Sequence, residues 1–283
     1  MATHHLQPDS PFHAWRLSEP GRADPAPYPV TMSLSQEGPN RVLYLTPTSL
    51  PSLGRALRFD DDDLAVLLDL GTGVGAMAAE LARRYPGITL TGVDLSEAQL
   101  AAARAKNPVA TYVHADASRL PFPDASFDRV HATWLLEHVA DPCAVLREAR
   151  RVLAPGGFVH VCEVDNASLR VSPPLPDLTA TFDALNLAQA AAGGDPFVGR
   201  RLEALAREAG FGDVVAREVL LLGDDAHPAM REALYEEFAG ICESLDEALA
   251  PDEMARARRA AAELRARGEG TSLEYRPVVL RAR

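Results

Sequence analysis

The feature that most constrains the fold of this chain is an apolar run that ends in an acid and a glycine-rich turn. Residues 65–70 read Ala-Val-Leu-Leu-Asp-Leu, and Gly71, Gly73 and Gly75 follow. Such a run suits a strand covered on both faces, as in a parallel sheet. Glycine permits a tight turn close to a ligand, and the first N–H groups of a following helix are free to bind it. The pattern therefore predicts a strand, a turn and a helix around a nucleotide-like small molecule.

The glycine spacing alone is compatible with more than one reading. Gly71, Gly73 and Ala76 also fit the dinucleotide-binding fingerprint, in which Ala can replace the third glycine. A glycine-rich turn without a ligand is a further reading. Asp69, however, lies just before the first glycine, and a carboxylate there repels a pyrophosphate but suits a cationic amino acid moiety.

A second predicted strand ends in an acid in the same way. Residues 88–93 are followed by Asp94, which lies 19 residues after Gly75. A carboxylate at this strand tip can accept hydrogen bonds from both hydroxyls of a ribose. Asp94 or Ser96 could instead cap the helix predicted over 97–106. The two roles are compatible, because Ser96 can cap the helix while Asp94 faces the ligand.

The alternation of strands and helices continues downstream. It comprises a third strand over 111–117 that contains Asp116, a fourth strand near 127–132, a helix capped by Asp141 that ends at 155–157, and a fifth strand over 158–164. This order predicts an α/β fold with a doubly wound, mostly parallel sheet. The acids cluster at the carboxyl ends of the strands, where such sheets bind their ligands.

Seven segments in this part of the chain follow one another at ordinary spacing. They read Leu-Asp-Leu-Gly-Thr-Gly-Val-Gly (68–75), Gly-Val-Asp-Leu-Ser (92–96), Ala-Asp-Ala (115–117), Leu-Pro-Phe (120–122), Ser-Phe-Asp (126–128), Leu-Glu-His-Val (136–139) and Arg-Val-Leu-Ala-Pro-Gly-Gly (151–157). Together they make residues 64–165 resemble the class I S-adenosylmethionine-dependent methyltransferases, particularly the small-molecule enzymes similar to those of ubiquinone and menaquinone biosynthesis. The resemblance implies a seven-stranded Rossmann-like sheet and S-adenosyl-L-methionine as the cofactor.

The resemblance also implies cofactor contacts at matching positions. These positions are Asp69, Gly71, Gly73, Gly75, Asp94, Leu95, Asp116, Ala117 and Trp134. Asp69 and the glycine backbone would hold the methionine part, and Asp94 would take the ribose hydroxyls. Asp116 would accept from the adenine amino group, while the neighbouring Ala117 N–H reaches a ring nitrogen. Leu95 would pack on the adenine ring, and the residues near Trp134 would lie close to the sulfonium.

Composition narrows the choice of partners. The 283 residues carry a formal net charge of −12, which argues against binding to a phosphate backbone. The acidic run at 60–63 lacks the spacing of a metal cage, so no metal is predicted. There is no long uninterrupted apolar stretch and no charged start followed by an apolar segment. We therefore expect a cytoplasmic protein with a small-molecule substrate and with neither a nucleic-acid nor a membrane partner.

The regions outside residues 64–165 are the ones that we expect to bind the acceptor of the methyl group. We predict a methyltransferase domain over 59–283 and a preceding segment over 1–58. The proline-rich composition of the first 45 residues fits either a partly disordered leader or a cover that uses Trp15, Tyr28 and Tyr44.

Helical insertions are predicted near 173–195 and 228–268, where such folds place a lid. A strand is predicted over 214–222. In the family, a strand at the position of 271–280 is the antiparallel one that completes the sheet.

The predicted activity is methyl transfer to a small organic molecule, a secondary metabolite, with O-methylation as the default chemistry. His138 is the candidate general base, because it follows the fourth strand at the ligand end. A structural role for the pair of Glu137 and His138, orienting a loop, is the alternative. One rival function is a cofactor-bound protein of the same fold that catalyses a non-methylating cyclisation or rearrangement. A nicotinamide-dependent oxidoreductase is the other, although Asp69, Asp116 and the turn at 155–157 argue against it.

Overall fold

The computed structural model describes residues 66–85, 87–106, 108, 110–245 and 249–283. The predicted N-terminal cover over 1–58 and the acidic run at 60–63 lie outside these residues. The strands are β1 Val66–Leu70, β2 Thr89–Asp94, β3 Thr111–His114, β4 Phe127–Thr133, β5 Leu153–Glu163, β6 Arg170–Ser172, β7 Val214–Glu218, β8 Leu221–Gly223, β9 Ser272–Tyr275 and β10 Val278–Ala282. The helices are α1 Ala76–Arg84, α2 Glu97–Lys106, α3 Pro142–Val152, α4 Pro176–Ala191, α5 Leu202–Glu208, α6 Pro228–Glu243 and α7 Pro251–Ala266.

Seven strands form the main sheet in the order β3-β2-β1-β4-β5-β10-β7. Neighbouring strands are parallel except that β10 runs antiparallel to both β5 and β7. This confirms the predicted doubly wound, mostly parallel seven-stranded sheet. The strand order reverses between β1 and β4, and in open sheets of this kind the ligand crevice lies at such a reversal.

Both faces of the main sheet are covered, as the apolar run in β1 predicts. Leu67 packs in one core cluster with residues of α1 and α2, and Leu68 packs on the opposite face with residues of α3 and α5. Both leucines are almost completely buried. The start of α3 follows the sequence prediction, because the Asp141 carboxylate accepts from the Ala144 N–H at 2.9 Å and Pro142 occupies the first turn.

A second sheet was absent from the sequence prediction. The strands β6, β9 and β8 form this small antiparallel sheet, and α6 packs against it while α7 packs on both α4 and α6. The predicted strand over 214–222 is in fact two strands, one in each sheet, and so is the predicted strand over 271–280. The chain changes sheets where the Val219 N–H donates to the Pro277 carbonyl at 2.9 Å. An apolar stretch reads as one strand because its alternation does not reveal a change of partner.

The strand β5 begins earlier than the sequence predicts. The sequence predicts a strand from residue 158, but the structure has it from Leu153, which pairs with Phe127 of β4 before a shift in register. Gly156 has a φ of 84° and lies between Leu153 and Phe158, the two pairings on either side of this shift. None of the described helices is long and apolar enough to cross a bilayer.

Candidate cofactor and acceptor site

The glycine turn after β1 has the backbone geometry that its sequence predicts. Gly71, Gly73 and Gly75 all have positive φ, between 53° and 73°. A Cβ added at Gly75 would lie 2.8 Å from the Cβ of Ala103 on α2, so glycine there also permits close packing of the turn on the helix. The turn is fixed to the end of β2 because the Thr72 N–H donates to the Val93 carbonyl at 2.9 Å.

Asp94 connects this turn to the loop after β2. Its Oδ2 accepts from the Gly73 N–H at 2.8 Å, and its Oδ1 accepts from the Ser96 N–H at 2.9 Å. Burial raises the pKa of the Asp94 carboxyl above its usual value, and the backbone hydrogen bonds oppose that effect. The Ser96 hydroxyl accepts from the Gln99 N–H at 3.2 Å. Ser96 therefore caps α2, which leaves Asp94 at the strand tip as the sequence analysis anticipates.

Asp69 is the most buried acid of the turn, with only 2% of its surface exposed. Its Oδ2 accepts from the Thr72 hydroxyl at 2.7 Å, and its Oδ1 lies 2.8 Å from Nδ1 of His131 on β4. The other ring nitrogen of His131 lies 3.0 Å from the Thr133 hydroxyl. Sequence reasoning missed His131; the available signal was a polar side chain in a strand predicted to be buried.

The predicted adenine contacts lie at the ends of β2 and β3. Leu95 is 36% exposed, and its carbonyl lies 2.8 Å from Nε2 of His114. Asp116 is exposed, and its Oδ1 accepts from both the N–H and the hydroxyl of Ser118 at 2.7 and 2.8 Å. Ala117 is partly buried beside it. The apolar side chain and the acid are thus both accessible at the same edge of the sheet.

The loop after β4 is held in an unusual conformation. Trp134 has a φ of 53°, and its N–H donates to the Cys162 carbonyl of β5 at 3.0 Å. The N–H groups of Leu135 and Leu136 both donate to Oε1 of Glu163, at 2.9 and 2.7 Å. Glu163 is fully buried, and burial together with the nearby charge of Glu137 raises the pKa of its carboxyl. Non-glycine residues in this backbone region concentrate at functional sites.

His138 lies between this loop and α4. Its Nε2 is 3.4 Å from Oε1 of Glu137, and its Nδ1 is 3.4 Å from Nε2 of Gln189 on α4. Gln189 also donates to Oε2 of Glu137 at 2.8 Å. Burial lowers the pKa of His138 to about 3 and raises the pKa of Glu137 to about 7. So low a pKa makes a weak general base, which favours the structural role for the pair.

The structure therefore brings the predicted residues together in two groups. The nine cofactor candidates all lie at the carboxyl end of β1 or β2, or on the turns and loops that follow β1, β2, β3 and β4. His138 belongs instead to the contact between the loop after β4 and helix α4. Among the described residues, no group of three His, Cys, Asp or Glu side chains is placed to hold a metal ion.

This part of the chain is similar to known methyltransferases. Residues 68–161 match the family model described as a methyltransferase domain. The chain is 42% identical over 101 residues to the demethylmenaquinone methyltransferase of Thermus thermophilus, covering 34% of this chain and 46% of that protein. It is 32% identical over 151 residues to the O-methyltransferase resE of Aspergillus sclerotiorum, covering 51% of this chain and 54% of that protein.

The matches thus span about half, or less, of these curated relatives. A solved structure, a putative methyltransferase from an antibiotic biosynthesis pathway of Anabaena variabilis, superimposes with a TM-score of 0.61 at 19% identity, covering 87% of this chain and all of that one.

Proposed function

We propose that this chain is a class I S-adenosylmethionine-dependent methyltransferase that binds S-adenosylmethionine and methylates a small organic molecule, and the similarity over residues 68–161 supports this. The observation that carries the proposal is the bridge that Asp94 makes between the glycine turn and the end of β2. The N–H groups of Gly73 and Ser96 orient its two oxygens, and a carboxylate oxygen can accept more than one hydrogen bond. Such a group suits the two hydroxyls of a ribose.

The residues around this bridge fit the remaining parts of the cofactor. Leu95 offers an exposed apolar surface for the adenine ring. Ser118 donates to Oδ1 of Asp116, and within the described part of the chain no hydrogen bond reaches Oδ2, which suits an amino group. Asp69 and the turn would take the methionine end. The positive φ values at Gly71 and Gly73 let the backbone approach a ligand without a Cβ in between.

The acceptor would lie next to the loop after β4. The bound cofactor supplies an activated methyl group, so the chain has to hold the acceptor in line with the S–CH3 bond and exclude water. We propose that α4, α6, α7 and the small sheet form the lid for this purpose within a methyltransferase domain over 59–283. The hydrogen bond from Gln189 to Glu137 joins the lid helix α4 to the loop after β4.

We further propose a small secondary metabolite as the acceptor and oxygen as the acceptor atom. The similarity to the O-methyltransferase resE supports oxygen, while the similarity to a demethylmenaquinone methyltransferase supports a small ring-containing molecule. The formal charge of −12 is unfavourable for a nucleic-acid acceptor.

Calorimetry with S-adenosylhomocysteine tests cofactor binding. We expect binding by the wild type and a loss of roughly tenfold or more in Asp94→Asn, because hydrogen bonds to a charged group contribute about 1.5–3 kcal/mol each. Asp183→Asn, at an exposed position of α4, is the matched control and should bind like the wild type. Equal affinity in Asp94→Asn would contradict the proposed role, and wild-type binding of NADH alone would overturn the cofactor assignment.

Methyl transfer is tested separately. The full chain is incubated with methyl-labelled S-adenosylmethionine and a panel of small phenols and hydroquinones, and released S-adenosylhomocysteine is quantified by mass spectrometry. Label in a methyl ether supports O-methylation, and label on a ring carbon overturns that choice of atom. Conversion of an acceptor without release of S-adenosylhomocysteine would overturn methyl transfer itself.

A further inference from the structure

A buried chain of hydrogen bonds extends from the glycine turn into the middle of the sheet. His131 is completely buried, and it lies between Asp69 on β1 and Thr133 at the end of its own strand β4. Nδ1 is 2.8 Å from Oδ1 of Asp69, and Nε2 is 3.0 Å from Oγ1 of Thr133. Since residues 131 and 133 of a strand point to the same face, the three groups form one row.

With Asp69 as a carboxylate and His131 as a neutral imidazole, the hydrogen-bonding capacity of each group sets the direction of each bond. An ionised carboxylate only accepts, so Nδ1 of His131 carries the proton and donates to Asp69. In the neutral ring Nε2 is then the acceptor, and the Thr133 hydroxyl must donate to it. Among the residues that the structure describes, no donor reaches the lone pairs of the Thr133 oxygen, so they suit a further donor. Asp69 is fixed on its other side by the Thr72 hydroxyl at 2.7 Å.

The Asp69 carboxylate and the Thr133 hydroxyl both lie at the start of the glycine turn. Leu70 of β1 pairs with Ala132 of β4, so Thr133 lies beside Gly71, the first glycine of the turn. Asp69 precedes that glycine by two positions. A negative carboxylate and an acceptor-only hydroxyl therefore flank the start of the turn, and this combination suits a cationic group with several N–H donors.

We propose that His131 is a positioning residue that holds Asp69 and Thr133 as paired acceptors for the ammonium group of the cofactor's amino acid part. The inference rests on the proposed binding of S-adenosylmethionine. His131 is itself too buried to touch the ligand, so its effect must pass through these two neighbours.

The test compares two ligands that differ in the amino acid part. S-adenosylhomocysteine carries the ammonium group, whereas 5′-deoxy-5′-methylthioadenosine has the adenosine and sulfur but no amino acid. Calorimetry on the full chain should show that His131→Phe weakens S-adenosylhomocysteine roughly tenfold or more, as expected for lost hydrogen bonds to a charged group. The affinity for methylthioadenosine should stay within about twofold, because Asp94 and Leu95 are untouched.

Two more variants separate positioning from general loss of stability. His131→Asn keeps a side-chain N–H near Asp69 and should recover part of the lost affinity. His160→Phe is the matched control, because His160 is a buried histidine in the adjacent strand whose ring stacks on His131 at 6.1 Å and lies one strand further from Asp69. It should bind both ligands like the wild type.

Three results would overturn the inference. Equal weakening of both ligands in His131→Phe would show a general disturbance of the site. Unchanged binding of S-adenosylhomocysteine in His131→Phe would show that the row of hydrogen bonds does not matter for the ligand, with the proposed function left intact. Failure of the wild type to bind either ligand would instead overturn the proposed function, and this inference with it.

Discussion

Replacing Glu137 by Gln should stabilise the protein at alkaline pH. The Glu137 carboxyl is buried between the loop after β4 and helix α4, where it accepts from Gln189 at 2.8 Å. Burial raises its pKa from 4.5 to about 7. A second buried acid, Glu163, has a pKa that is raised in part by the charge of Glu137. The folded protein therefore disfavours the ionised form of this group.

The sign and size of the change in the free energy of unfolding follow from the linkage between proton binding and folding. A carboxyl whose pKa is higher in the folded state contributes its full stability below pH 4.5, and that contribution is lost as the pH rises through about 7. The difference between these values corresponds to about 3 kcal/mol at roughly 1.4 kcal/mol per pH unit. Because Glu163 shares the effect, about 1–3 kcal/mol is the expected gain in the variant above pH 7.5. At about 2–4 °C per kcal/mol, Tm should rise by roughly 2–12 °C.

Thermal unfolding of both proteins at pH 5 and pH 8.5 measures this difference. Glu137→Gln should unfold close to the wild type at pH 5 and clearly later at pH 8.5. Glu232→Gln, at an exposed position of α6, controls for the loss of one negative charge and should show no such dependence. A constant difference in Tm between Glu137→Gln and the wild type at the two pH values would refute the reasoning.

Two further substitutions test the turn and the adenine surface. Gly75→Ala combines a φ of 73° with a 2.8 Å contact to Ala103, so we expect chemical denaturation to show a loss of about 1–3 kcal/mol in the free energy of unfolding. The control Gly240→Ala, in open space on helix α6, should instead raise that free energy by about 0.5–1 kcal/mol. Equal effects of the two substitutions would contradict the argument. Leu95→Ala should weaken S-adenosylhomocysteine by roughly threefold to tenfold with little change in Tm, because Leu95 is already 36% exposed. Leu187→Ala, at a 73% exposed position of α4, should leave the affinity unchanged, and a similar loss there would exclude a specific contact at Leu95.

The part of the fold that sequence predicts well is the part whose signals are local. The helix over 97–106 has the predicted bounds, and Ser96 caps it as expected. Asp94 reaches the glycine turn because the carboxyl ends of β1 and β2 are adjacent in a parallel sheet. Each of these features depends on a few consecutive residues and on a common strand order.

The features that sequence does not predict depend on contacts between distant segments. The small sheet pairs β6 with β9, which lies about a hundred residues further along the chain. His131 meets Asp69 across 62 residues, and Gln189 meets Glu137 across 52. Nothing in the local pattern around a buried histidine or glutamine indicates which acid it will meet. Propensity and periodicity describe one segment at a time, so such partners become visible only in the folded chain.

The arrangement of acids at the sheet edge bears on the choice between a sulfonium cofactor and a dinucleotide. Asp69, Asp94 and Asp116 follow three neighbouring strands, and each carboxylate is oriented by hydrogen bonds from the protein itself. Groups held in this way keep free lone pairs in fixed directions, which favours a ligand rich in hydroxyl, amino and ammonium donors. A pyrophosphate would bring negative oxygens next to Asp69 and would be repelled. The glycine spacing is compatible with either cofactor, and the oriented acids around it favour the sulfonium cofactor over the dinucleotide.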